Sequence, residues 1–156
     1  ICPINRLLSA GVNVALGTDS SSSNNDLDMF GEMRSAAMLA KISTMDATAA
    51  PAEQILQMAT INGARALGMD DITGSLEVGK FADIVAVNLD TIKSIPVYDQ
   101  VSHLVYCSSS DHVTDVWIAG KQRLTDRVLN TIDEHKLKQD CLNACENIKS
   151  KATNII

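Results

Sequence analysis

The stretch Gly11 to Asp28, GVNVALGTDSSSSNNDLD, runs from a short apolar segment to a single carboxylate, Asp19, and then into serines and asparagines. Barrels of alternating strands and helices assemble their chemistry at the C-terminal mouth of the strands, so an acid there is a candidate metal ligand or proton acceptor. The same acid can instead cap a turn, since Asp and Ser readily bond nearby backbone amides. Spacing alone leaves these two readings level. A serine-rich loop before a helix start also suits an anion, because the first amides of a helix are free. Against that, the chain has no glycine-rich cradle and no Gly-Lys-Ser/Thr motif, and Asp26 and Asp28 already occupy the positive helix end. Cys141 and Cys145 fall one helical turn apart, but two thiols without further clustered donors read as packing residues. His103, His112 and His135 form no His-x-His pair and read as solvated or interface histidines.

These side chains need elements to position them. Ile4, Leu7 and Leu8 recur at helical spacing behind Pro3, which a first helical turn tolerates, so a helix is expected over Cys2 to Ala10. Val12, Val14, Ala15 and Leu16 then read as a strand buried on both faces, as in a parallel sheet, with Asp19 at its end. Asn25 is the expected N-cap of a helix reaching about Ile42, with Asp28 in its first turn. Leu27, Phe30, Met33, Ala37, Met38 and Ile42 would face the core, widened by Met29, Ala36 and Ala40. A second helix is expected near Pro51, with Ile55, Leu56 and Ala59 inside, and a third from Asn62 to Leu67. Gly63 marks a close contact or a break there, and Gly68 a C-cap. Beyond Gly68 the period shortens. Strands are expected at Ala82 to Val87, His103 to Cys107, and Val113 to Ala119, the last joined through Gly120 to Gln122–Leu124 as a hairpin. A polar helix starting at Thr131 or Asp133 and reaching about Lys149 carries Leu137, Leu142 and Ile148 for docking on a surface.

The 156 residues, 46% of them hydrophobic, suffice for one ordinary core. A formal charge of -6, with no basic stripe, argues against a nucleic-acid partner, whose binding depends on clustered Lys and Arg. No apolar run approaches the roughly 18 residues needed to cross a bilayer. The four cysteines show no CxxC pair and are expected as reduced thiols in a cytoplasmic protein.

Four segments then carry a likeness: ALGTDSSSSNNDLDMFGEMRSAAMLAK, QMATINGARALG, GSLEVGKFADIVAVNLD and VTDVWIAGK. In that order they resemble the C-terminal part of the amidohydrolase superfamily. The nearest groups are the 5-methylthioadenosine/S-adenosylhomocysteine deaminases and the triazine-type chlorohydrolases. The resemblance implies an α/β fold: the C-terminal part of a (β/α)8 metal-dependent hydrolase barrel over 1–68, strands of a small β-sandwich over 69–130, and a C-terminal helix over 131–156. It implies that Asp19 is the acid ending the eighth barrel strand, serving as catalytic residue, metal ligand and substrate contact. That acid takes the proton of the water that attacks the purine C6 carrying the amino group. One divalent metal is implied, zinc first and iron second. A cation lowers the pKa of water it coordinates, and an adjacent carboxylate can anchor the ion and accept the proton.

The family's other ligands, a His-x-His pair, two single histidines and a nearby glutamate, have no counterpart in this sequence. The chain is therefore expected to be a C-terminal piece of a longer enzyme, beginning inside the seventh barrel helix, inactive alone, and with strand edges open to the N-terminal portion. Expected partners are a purine nucleoside and that N-terminal portion, with no nucleic acid and no membrane; homo-oligomerisation stays open. Guanine or cytosine deamination, triazine dechlorination and a non-catalytic interaction domain are the alternatives. The metal reading requires Asp19 to face a cavity and to be free of any arginine pair.

Overall fold

The apolar residues gather on helices, two of them capped by aspartate side chains, and the turn-rich stretch after Gly68 supplies the strands of a sheet. The computed structural model describes residues 1–153. Its helices are α1 (Ile4–Ser9), α2 (Met29–Thr44), α3 (Ala52–Ala59), α4 (Ile61–Ala66), α5 (Gln100–Tyr106) and α6 (Glu134–Thr153). Strands β1 (Ile84–Val87), β2 (Val113–Ile118), β3 (Lys121–Thr125) and β4 (Val128–Leu129) form one antiparallel sheet in the order β1-β2-β3-β4.

The core lies between α2, α3 and α5, with α1 at its side. Met33, Ala36, Ala37 and Ala40 of α2 meet Ile55 and Met58 of α3 and Val105 of α5, and Ile4 closes the cluster. Alanines on α2 let the backbones approach closely, while Ile55, Met58 and Val105, all fully buried, supply the bulk. Arg34 ties α2 to the end of α5, donating from Nε to the carbonyl of Tyr106 and from its terminal nitrogen to that of Ser108. The Tyr106 carbonyl, in the last turn of α5, has no intrahelical partner, and the Ser108 carbonyl lies just past the helix end, so the guanidinium bonds both.

Helix α2 starts later than the sequence suggests. Asp28, not Asn25, is the N-cap, and its Oδ1 accepts the amide of Phe30. Its Oδ2 accepts the amide of Ser110, joining the start of α2 to the turn before β2. Burial works against the charge, but the amides of Ser110 and Phe30 outweigh it and hold the carboxyl below its ordinary value. A carboxylate depressed in the folded state stabilises fully above its unfolded pKa, near 4, and loses that contribution as pH falls through the folded value. Asp28→Ala is therefore expected to cost about 1 kcal/mol at neutral pH. Denaturant melts should show the gap between variant and parent closing below about pH 4.

Several sequence expectations fail for identifiable reasons. Residues 12–18 run without any strand partner, and only Val14, Leu16 and Thr18 are partly covered while Val12 is 47% exposed. No neighbouring strand exists among the described residues to bury the second face, so this is not the doubly buried strand expected. His103 to Cys107 is helical. Asp99 caps α5 by accepting the amide of Ser102, and Val105 turns into the core. The β-branched valines suggested a strand, but the cap and the burial of one face decide for the helix. Leu27, which precedes α2, and Met38 and Ile42 on it are exposed rather than core-facing. Helix α6 forms as expected, yet Leu137, Leu142 and Ile148, expected to dock on a surface, stay exposed. The last three residues of the expected 131–156 helix lie outside the described residues.

Other expectations hold. Gly120, with Ala119 at φ 49° and its own φ of 73°, makes the tight turn between β2 and β3, the mirror-image turn that matches strand twist. Gly68, at φ 66°, follows α4, whose end closes with Gly68 donating to Arg65 and Met69 to Ala64, the two-bond Schellman arrangement. The expectation for Gly63 does not hold: it lies inside α4 with nothing within 4 Å, the break falls at Thr60, and the close approach belongs to Gly74. No helix among the described residues is long and apolar enough to cross a membrane.

Candidate functional site

Asp19 sits where the extended segment 12–18 enters the serine loop. Its backbone lies in the left-handed region at φ 60°, a conformation uncommon for residues with a side chain but more accessible to Asp. Oδ1 accepts the amide of Ser20 at 2.7 Å and Oδ2 accepts the hydroxyl of Ser23 at 2.7 Å. The Ser23 hydroxyl, then the Ser20 amide, hold the carboxyl below its ordinary value, so the ionised form is favoured. An ionised carboxylate offers about four acceptor positions, and two are taken. The remainder face solvent.

The segment that delivers Asp19 is clamped from the side. Leu16 donates its amide to the carbonyl of Met58 at 2.9 Å, at the end of α3. Asn62, on α4, donates from Nδ2 to the carbonyl of Val14 at 3.0 Å, and Asn13 returns a bond to the carbonyl of Asn62. Arg65 donates to Oδ1 of Asn62 at 3.2 Å, which fixes the orientation of that amide. Thr60 breaks the helical path between α3 and α4, with φ −128° and ψ −99°. The break frees the Met58 carbonyl and brings Asn62 alongside. A backbone lacking a strand partner thus finds its bonds on a helix junction instead. Asn62 is 9% exposed. Its replacement by Ala strands the Val14 carbonyl, and a stability loss of about 1–3 kcal/mol in urea melts is expected.

Beyond Asp19 the loop closes on itself. Ser20 and Ser22 share a 2.7 Å hydroxyl contact, and the amides of Ser23 and Asn24 both donate to the carbonyl of Ser20. Asn24 donates from Nδ2 to the carbonyl of Thr18 at 2.9 Å and to Glu32 Oε1 of α2 at 2.8 Å.

The structure meets one requirement of the metal reading and not the other. No ion pair reaches Asp19 among the described residues, so the carboxylate is free to bind a cation. It lines none of four clefts of about 430 to 580 Å³, and it is exposed. Among the described residues no three His, Cys, Asp or Glu side chains gather to hold a metal ion. Tetrahedral zinc takes three or four protein donors. Asp19 is a single carboxylate donor, too few for zinc, and the described residues supply no more.

The other sequence candidates scatter. His103 lies in α5, where its Nε2 is buried without a hydrogen-bond partner, so it is not a solvated residue. His112 closes the turn before β2, its Nδ1 accepting the amide of Ser109, and His135 is exposed on α6. All four cysteines are free and exposed, so Cys141 and Cys145 are not packing residues among the described ones. Asn62, Asn24 and Glu32 were not singled out in the sequence. Asn62 carried the clearest signal, a polar side chain on the inner side of a short helix otherwise rich in small and apolar residues.

Residues 1–123 match the model of the amidohydrolase family, and the chain belongs to that family. The likeness carried by its four motifs is thereby borne out. It is 43% identical over 150 residues to the 5-methylthioadenosine/S-adenosylhomocysteine deaminase of Teredinibacter turnerae, covering 96% of this chain and 34% of that protein. It is 42% identical over 151 residues to the 5'-deoxyadenosine deaminase of Methanosarcina barkeri, covering 97% of this chain and 34% of that one. The crystal structure of an adenosine deaminase from Xanthomonas campestris with bound zinc superposes with a TM-score of 0.93 at 47% identity, over 96% of this chain and 34% of that one. The chain spans about a third of the length of the curated relatives it matches.

Proposed function

We propose that this chain contributes to hydrolytic deamination of adenosine-type nucleosides, with Asp19 as one metal ligand and as acceptor of the proton from the attacking water. S-adenosylhomocysteine, 5-methylthioadenosine and 5'-deoxyadenosine are the substrates to which its relatives' names point. In this reading residues 1–68 belong to a (β/α)8 barrel, 69–130 to a small β-sandwich and 131–156 to a terminal helix. The remaining metal donors come from polypeptide beyond the residues present here. The reading is carried by Asp19 itself: an ionised carboxylate with no cationic partner among the described residues, both oxygens oriented by Ser20 and Ser23, at the end of a clamped segment.

A divalent cation held at Asp19, zinc first by the chemistry of the zinc-bound neighbour, would supply the acidification of water that a carboxylate alone cannot. The protein's own part is orientation. Ser23 and Ser20 fix the plane of the carboxylate and keep it deprotonated, which is the state a proton acceptor needs. The Asn62 and Met58 clamp fixes the backbone that carries it, and placement within fractions of an ångström governs such sites.

The test is ammonia release by the complete polypeptide, with zinc content measured on the same sample. Release from the three nucleosides at about one zinc per chain supports the proposal. A metal-bearing protein that releases ammonia only from guanine or cytosine, or chloride from a chlorotriazine, overturns the substrate assignment.

A further inference from the structure

Between Asp19 and the Asp28 cap, among the described residues, the loop is attached to helix α2 through the side chain of Asn24. Asn24 carries two amide protons on Nδ2, and it uses them in two directions. One bond goes back to the carbonyl of Thr18 at 2.9 Å, the peptide that leads into Asp19. The other goes forward to Glu32 Oε1 at 2.8 Å, in the first turn of α2. Among the described residues no other side chain of Ser20 to Leu27 bonds to a helix. The Thr18 peptide is a telling place for a tether, because the next residue is held in the left-handed region and the neighbouring structure has to impose that conformation. Asn24 also donates its own amide to the carbonyl of Ser20 at 2.8 Å. Its backbone and side chain thus grip the residues on either side of Asp19, while Glu32 anchors that grip to a helix whose inner face is in the core.

We propose that Glu32 and Asn24 act as a positioning pair that fixes Asp19 for its cation, Glu32 holding Asn24 and Asn24 holding the Thr18 peptide. Neither is a metal ligand or a catalytic residue. The inference rests on Asp19 being a ligand, as proposed above. The competing role for Glu32 is a favourable charge at the positive end of α2, worth some tenths of a kcal/mol. The two roles need different things from the side chain. A tether needs only a carbonyl oxygen at Oε1, whereas the helix end needs the negative charge.

Glu32→Gln separates them, since it keeps the acceptor and removes the charge. In the complete enzyme, zinc affinity measured by chelator competition should fall about 10–100-fold in Glu32→Ala, the range seen when groups that orient a ligand are removed. The kcat should fall with it while KM stays nearly constant, because a mispositioned ligand harms the reaction rather than substrate binding. Glu32→Gln should recover most of the loss. In the metal-free protein, amide exchange at Ser23 and Asn24 should accelerate in Glu32→Ala and not in Glu32→Gln. Asn24→Ala, at a loop position, should reproduce the Glu32→Ala defect, and the double variant should be no worse than either single one. Equal damage from Glu32→Gln and Glu32→Ala would overturn the inference, as would unchanged zinc affinity in Glu32→Ala. Asp19→Ala in the same series keeps the two levels apart. If it retains zinc, the ligand assignment fails; if it loses zinc while Glu32→Ala does not, only the positioning pair fails.

Discussion

Replacing Asp19 with Ala in the complete enzyme is expected to lower the rate of ammonia release by at least about 10³-fold, since a positioned proton acceptor alone contributes about 10²–10⁴ and the variant also removes a metal donor. Zinc content should fall in the same sample. The fold should suffer little, by about 1 kcal/mol, because the side chain is exposed and its two bonds are to Ser20 and Ser23 of its own loop, while Ala tolerates the left-handed φ of 60° less well than Asp. Asp19→Asn makes a sharper probe: it preserves the size and one carbonyl acceptor but not the charge. Its activity should resemble that of Asp19→Ala rather than the parent. Thermal melts of the metal-free parent and Asp19→Asn proteins should superimpose, which separates loss of chemistry from loss of structure, since bound zinc would itself raise the melting temperature of the parent.

Gly74→Ala is expected to be the most damaging of the small substitutions to stability, at about 2–5 kcal/mol. Gly74 holds φ 89°, where a side chain is strained. A methyl placed there would lie 2.6 Å from Cβ of Ala64 and 3.1 Å from Cα of Ile61, on the α4 backbone. Backbone cannot move aside as a flexible side chain can. The loop carrying Gly74 follows Thr73, which donates to Asp83 Oδ2, while Asp83 Oδ1 accepts the amide of Ala119 in the hairpin turn. Lifting this loop from α4 therefore disturbs the link between the helices and the sheet. Denaturant melts of Gly74→Ala against Gly63→Ala give the comparison. Gly63 lies within α4, with open space around it, so its replacement should be neutral or mildly stabilising by removing backbone freedom.

What was readable in the sequence follows from how local each determinant is. Helices α2 to α4 announced themselves through apolar spacing, and the β2–β3 hairpin through Gly120, because a cap or a turn is decided within a few residues. Helix α5 did not. Its valines favour a strand in isolation, and the deciding facts are the Asp99 cap and the cluster that receives Val105. The segment 12–18 reads as a buried strand because its residues suit one. Among the described residues no strand pairs with it, and the Met58 carbonyl and Asn62 take up part of its backbone bonding. Asp19 was legible through its position after an apolar run and through the motifs around it. The Asn24 and Glu32 pair was not, since a bond from a loop amide to the first turn of a helix leaves no periodic trace.

The direct test of the central assignment is anomalous diffraction at the zinc edge from crystals of the complete, zinc-loaded protein. A peak about 2.0–2.2 Å from a carboxylate oxygen of Asp19 is the predicted result. A zinc peak elsewhere, with Asp19 still bonded only to Ser20 and Ser23, would contradict it.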